Sequence, residues 1–69
     1  MFDHAAAREA RINAGIDATR AAAVIGVSTS TLSRYERGEG EPSFSQGMAL
    51  ARLLRVEPAT LVRAEVTAS

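Results

Sequence analysis

The chain has 69 residues, close to the lower size at which one domain folds alone without disulfides or a structural metal. It has no cysteine and a formal net charge of zero, with a pI near 6.6. This excludes a disulfide scaffold and a thiolate zinc site, and it implies poor non-specific affinity for nucleic acid.

Hydrophobic residues make up 46% of the chain, but 14 of them are alanine, so burial has to come from close helix packing rather than bulky side chains. Alanine is the best helix former, and no period-2 alternation of apolar residues runs along the chain, so the expected class is all-α. All eight basic residues are arginine. Five arginines face four acids through Gly38, and three face four from Glu39 onward, so a local basic stripe is compatible with overall neutrality. The N-terminus lacks the basic start and apolar run of a signal peptide. No stretch approaches the roughly eighteen apolar residues of a membrane span, so a soluble, cytoplasmic chain is expected.

The spacing predicts a first helix over 3–14, with Ala7, Ala10, Arg11 and Ala14 on one face. Gly15 stops it, Ile16 plugs inward, and Asp17 caps a second helix over 18–25 that buries Ala21, Ala22 and Ile25. Gly26 ends that helix and Val27 points to the core. Ser28 caps a third helix over 29–37, in which Leu32, Tyr35 and Glu36 share one side while Ser30, Ser33, Arg34 and Arg37 share the other. Gly38 breaks it, and Glu39-Gly-Glu-Pro-Ser43 forms a loop. Ser43 caps a fourth helix over 44–54, expected to bury Phe44, Met48, Ala51 and Leu54 or Leu50. Val56 repeats the inward plug. Glu57-Pro58 reads as an N-cap followed by proline at the first helical position, opening a fifth helix over 58–66 before a frayed tail. The whole chain reads as one domain.

The segment from Gly26 to Gly38 is the most informative. A tight turn is set against a short helix whose outward face is hydroxyl and guanidinium, a surface suited to base edges and phosphates rather than to an apolar partner. The punctuation Arg11, Gly15-Ile16, Gly26-Val27-Ser28, Ser30-Thr31-Leu32, Arg34-Tyr35-Glu36-Arg37-Gly38 and Pro42-Ser43 resembles the lambda-repressor-like helix-turn-helix family, the Xre/Cro type of regulators, over roughly 7–61. A bare helix-turn-helix match is weak, but so many anchors in register are specific.

The resemblance implies a five-helix DNA-binding domain in which the second helix crosses the DNA backbone and the third enters the major groove. Arg34 is then the expected main base reader, with its fork on guanine, and Thr29, Ser30 and Ser33 are shorter-range readers. Ser28, Ser43, Arg37 and Arg20 are expected phosphate contacts, joined by the helix N-termini at Ala18 and Phe44. The resemblance also pairs Arg11 with Glu36 as a partly buried ion pair between the first and third helices.

The chain departs from the family pattern at several places. Ala18 stands where glutamine is frequent. Ala21 replaces a leucine, leaving a gap for Phe2 or Phe44 to fill. Gly47 stands where an apolar residue is usual, Arg55 replaces a helix-ending glycine, and the loop that is often basic carries Glu39 and Glu41.

Other residues have ordinary structural roles. Tyr35 is expected to pack in or against the core, His4 to be a surface histidine without metal partners, and Arg8, Arg52 and Arg63 to be solvated charges. Catalysis is not expected, nor are a cofactor, a metal, a membrane or a small-molecule effector. The expected partner is a double-stranded DNA operator, bound as a homodimer through Leu53, Val62 or Val66, in the manner of a small Cro-like or immunity-type repressor of phage or mobile-element kind. The alternative is an antitoxin- or antirepressor-like protein-interaction module on the same fold.

Overall fold

A computed structural model describes residues 2–62. Its order is α1 (His4–Asn13), α2 (Ala18–Ile25), α3 (Thr29–Glu36), α4 (Phe44–Leu54) and α5 (Pro58–Leu61), an all-α architecture. Each of the first four helices starts where a short polar side chain can take up a free backbone N–H. Asp3, Asp17, Ser28 and Ser43 accept from Ala6, Arg20, Thr31 and Gln46 respectively, and the Gln46 side chain returns the bond to the Ser43 N–H as a capping box. Glu57 stands at the N-cap of α5 but makes no such bond, and Pro58 supplies the preset φ instead.

The helix ends repeat one device. A residue with positive φ (Gly15, Gly26, Gly38 or Arg55) is followed by a residue whose N–H reaches five positions back. Ile16 N–H donates to the Arg11 carbonyl at 3.2 Å, Val27 to Ala22 at 3.0 Å, Glu39 to Arg34 at 2.9 Å and Val56 to Ala51 at 3.1 Å. This satisfies carbonyls that the helix leaves open and reverses the chain sharply. At Gly26, φ of +82° sets the angle between α2 and α3, a conformation glycine adopts without steric cost. Arg55 takes φ of +57° without that freedom, and its departure from glycine leaves a strained helix end. Ile16, Val27 and Val56 all pack half-buried against the core, as the plugs in the sequence suggest.

The core is small: Phe2, Ala7, Ala21, Ala22, Ile25, Leu32, Leu50, Ala51, Leu54 and Leu61. With alanine at four of these positions the helices approach closely, α2 against both α3 and α4, and α1 against α3 and α5. Three expectations are corrected here, the first being Met48, which is half-buried rather than part of the buried core. Phe44 is not buried but 79% exposed. It is the first residue of α4, where the Cα–Cβ bond tilts toward the N-terminus and carries the ring past the helix end instead of across to the core. Phe2 joins Ala21 in the core cluster instead, its backbone held by the Glu41 carboxylate, which accepts from the Phe2 N–H at 3.2 Å. Leu53, expected at an exposed pairing face, is half-buried against the core, because α5 folds back over the end of α4.

The fifth helix ends at Leu61, earlier than the sequence suggests. Val62 is extended and forms an isolated antiparallel bridge with Phe2, while the Asp3 N–H donates to the Leu61 carbonyl at 2.6 Å. Pairing with the N-terminal segment thus wins over continued helix. Positions 63–66 of the expected fifth helix, Val66 among them, lie outside the described residues.

Gly47 is buried in α4 beneath Val62, and a Cβ built there would meet Val62 Cγ2 at 3.7 Å, an ordinary contact. The site has room for a methyl group and α4 has regular helical geometry there. Gly47→Ala is therefore expected to stabilise the protein by about 0.5–1 kcal/mol, read as a raised urea midpoint with unchanged slope.

Candidate nucleic-acid interface

The turn and its helix hold the polar residues in a defined display. Leu32 is 1% exposed and anchors α3 inward, and Tyr35 is half-buried with its ring against Gly40. Thr29, Ser30, Arg34 and Arg37 lie on the exposed side. Ser30 and Arg34, four residues apart, stack along one face. The Arg34 guanidinium makes no hydrogen bond or ion pair among the described residues, so the longest polar side chain of that face is free to reach outward.

Ser33 departs from the expected outer face. It is half-buried and lines a groove with Arg8, Arg11, Ala18, Glu36 and Arg37, because its edge of α3 turns toward α1 and the start of α2. The same groove shows what sequence reasoning missed. Arg8 is exposed, as expected of a solvated charge, and it also stands beside Ala18 and Arg37, positions expected to hold phosphate. Its one sequence signal is the three-residue spacing from Arg11, which sets the two on adjoining parts of one helix surface.

The expected phosphate contacts are exposed, apart from the half-buried Ala18 at the first position of α2. Ser28 is committed locally: its Oγ accepts from Thr31 N–H at 3.1 Å and donates to Thr31 Oγ1 at 2.9 Å. Ser43 Oγ accepts from Gln46 N–H at 3.2 Å and lies 3.3 Å from Ser45 Oγ. Arg20 is exposed on α2. Arg37 closes α3 and is not free, since its Nε donates to Glu39 Oε2 at 2.6 Å. The hydrogen bond from Arg37, then its charge, holds the Glu39 carboxyl below the usual carboxylate range, and Arg34 adds a smaller pull in the same direction.

The structural pair is formed. Arg11 Nε donates to Glu36 Oε2 at 2.7 Å and Nη2 to Oε1 at 3.0 Å, a two-pronged bond with the side chains only 13% and 8% exposed. Arg11 Nη1 also donates to the Ile16 carbonyl at 3.0 Å, so one guanidinium ties α1, the chain reversal after it, and α3. The hydrogen bond that Arg11 donates to Glu36 raises the pKa of the guanidinium above its ordinary value against the opposing cost of burial, with the charges of Glu36 and Asp17 adding to the rise. Among the described residues no group of His, Asp and Glu could hold a metal ion, and no helix is long and apolar enough to cross a membrane.

A capped turn between two short helices, the second held inward by a leucine and presenting hydroxyls and arginine outward, defines a helix-turn-helix DNA-binding domain of the lambda-repressor-like type. The helix-turn-helix family model matches residues 8–61, and the chain belongs to that family, whose members are DNA-binding transcription regulators. Among solved structures it is similar to the P22 c2 repressor in complex with the synthetic operator 9T, at 27% identity and a TM-score of 0.81, over 91% of this chain and 96% of that one. It is also similar to the restriction-modification controller protein C.AhdI from Aeromonas hydrophila, at 29% identity and a TM-score of 0.76, over 86% and 89% of the two chains. No curated protein matches the sequence.

Proposed function

We propose that the protein is a sequence-specific transcriptional repressor of the small Cro-like or immunity type, binding a near-palindromic operator as a homodimer. The observation that carries this is the exposed Arg34 guanidinium, which makes no hydrogen bond or ion pair among the described residues and lies on one face with Ser30 in the helix that follows the capped turn. Arginine in that position forks onto guanine O6 and N7, while Thr29 and Ser30 reach bases from the first turn and Ser33 from the groove edge. Arg20, Arg37, Ser28 and Ser43 serve phosphates, with the backbone at Ala18 and Phe44, and Arg8 adds to them from the groove. The similar P22 c2 repressor was solved on an operator, which supports the same mode here.

One short helix reads few base pairs, so a single subunit binds weakly, and two half-sites about one helical turn apart raise affinity and specificity together. The pairing face lies at Val62, 41% exposed, which sits over Gly47 near the start of α4. Regulation then follows concentration and competition for the site rather than a small-molecule effector.

Mobility shift against random genomic fragments at two salt concentrations tests this reading. Steep loss of binding with salt and recovery of a palindrome support it. The competing reading, an antitoxin- or antirepressor-like protein-interaction module, is favoured by the exposed Phe44 and the zero net charge, and retention of no DNA at low salt would establish it over the first.

A further inference from the structure

Four helix ends share the same reversal, and three of them place an apolar residue after the positive-φ position: Ile16, Val27 and Val56, each packed on the core. A hydrophobic contact is the usual companion of this motif. The end of α3 is the exception. There the residue is Glu39, exposed, and its side chain turns back onto Arg37 rather than inward. Its position is not left to chance. The Glu39 N–H is bonded to the Arg34 carbonyl at 2.9 Å, and Gly38 has φ of +79° with the His4 ring where a Cβ would come, 3.0 Å from the nearest ring atom. The backbone therefore delivers the carboxylate to the Arg37 guanidinium, with Nε to Oε2 at 2.6 Å. The other loop carboxylate, Glu41, is engaged elsewhere, with the Phe2 N–H.

We infer that Glu39 is an affinity-limiting residue of the DNA-binding face: its carboxylate holds the place of a backbone phosphate on Arg37, and DNA must displace it. This rests on the DNA-binding reading proposed above and adds a residue whose role is to weaken it. A carboxylate and a phosphate oxygen present the same acceptor to a guanidinium, so the two compete for one donor. Phosphate contacts carry no sequence information, so the competition lowers affinity for all sequences alike and leaves discrimination to the base readers. The depressed carboxyl of Glu39 agrees with an ion pair maintained at neutral pH.

The test is a salt series of binding to a selected operator and to random duplex DNA, with the wild-type chain, Glu39→Gln, Arg37→Gln and the double variant. Glu39→Gln is expected to tighten binding to both DNAs by the same factor, about two- to five-fold per subunit, as expected for release of one exposed pair. The log–log salt slope should stay unchanged, because Arg37 neutralises the same phosphate in both complexes once Glu39 has been displaced. In the Arg37→Gln background the tightening should vanish. Unchanged affinity in Glu39→Gln overturns the inference, as does an equal tightening without Arg37, which would mean general charge repulsion. Those outcomes leave DNA binding by the wild-type chain intact; failure of every variant to bind any DNA would instead overturn the DNA-binding reading itself, and this inference with it.

Discussion

Glu36→Ala is expected to leave the protein only marginally folded at 25 °C, with a clearly lowered urea midpoint. The Glu36 side chain is 8% exposed and receives two hydrogen bonds from Arg11, which also holds the Ile16 carbonyl. Truncation strands the guanidinium in a largely buried site, a loss of about 3 kcal/mol, at the lower end for a group that keeps some access to water through the groove. A single core in a chain this short supplies only about 3–5 kcal/mol in total. The alanine-rich core described above offers little reserve. Far-UV circular dichroism through a urea titration measures the effect. The companion Arg11→Met/Glu36→Leu should recover most of the helical signal, since removing both charges leaves no stranded ion, short of the bond to the Ile16 carbonyl. A Glu36→Ala midpoint equal to that of the wild-type chain would mean the pair is incidental.

The second large effect concerns recognition and leaves folding alone. Arg34 is exposed and makes no side-chain hydrogen bond or ion pair among the described residues, so Arg34→Ala should melt with the wild-type chain. Its expected cost is confined to one base pair of each half-site, where discrimination of about 1–3 kcal/mol disappears. Sites altered at that base pair should then bind the variant as well as the intact operator does. Loss of a phosphate partner gives a different signature: Arg20→Ala should weaken binding to every sequence alike, with a shallower salt dependence. Competition binding against a panel of single-base operator variants separates the two. A uniform loss for Arg34→Ala would move that residue from base reading to the backbone.

Helix starts and stops are legible in the sequence because they are local chemistry. Asp17, Ser28 and Ser43 are caps by side-chain type, Gly26 and Gly38 are reversals by their freedom at positive φ, and each acts within four or five residues. Arg11 with Glu36 is legible only through the resemblance, since a separation of 25 residues has no local signal. What the sequence does not disclose depends on how elements meet. The half-burial of Ser33 follows from the edge that α3 turns to α1, and Arg8 enters the same groove from the other side. Phe44 is misplaced by a helical wheel, which treats the first turn like the interior, whereas a side chain there has no preceding turn to pack beside. The early end of α5 comes from pairing with Phe2, at the far end of the chain. The bond from Arg37 to Glu39 spans two residues, yet only the geometry at Gly38 brings the two side chains together.

The exposed face of α3 is expected to meet the bases, and all of the recognition chemistry depends on that placement. A titration of the isotopically labelled protein with its selected operator, followed by NMR shifts of backbone amides and arginine side chains, tests it most directly. The largest changes are expected at Thr29, Ser30 and the Arg34 guanidinium, with smaller ones at Arg20, Arg37 and Ser43 and none along the α1 surface at Ala6, Ala10 and Asn13. Changes centred on that α1 surface, with α3 undisturbed, would contradict it.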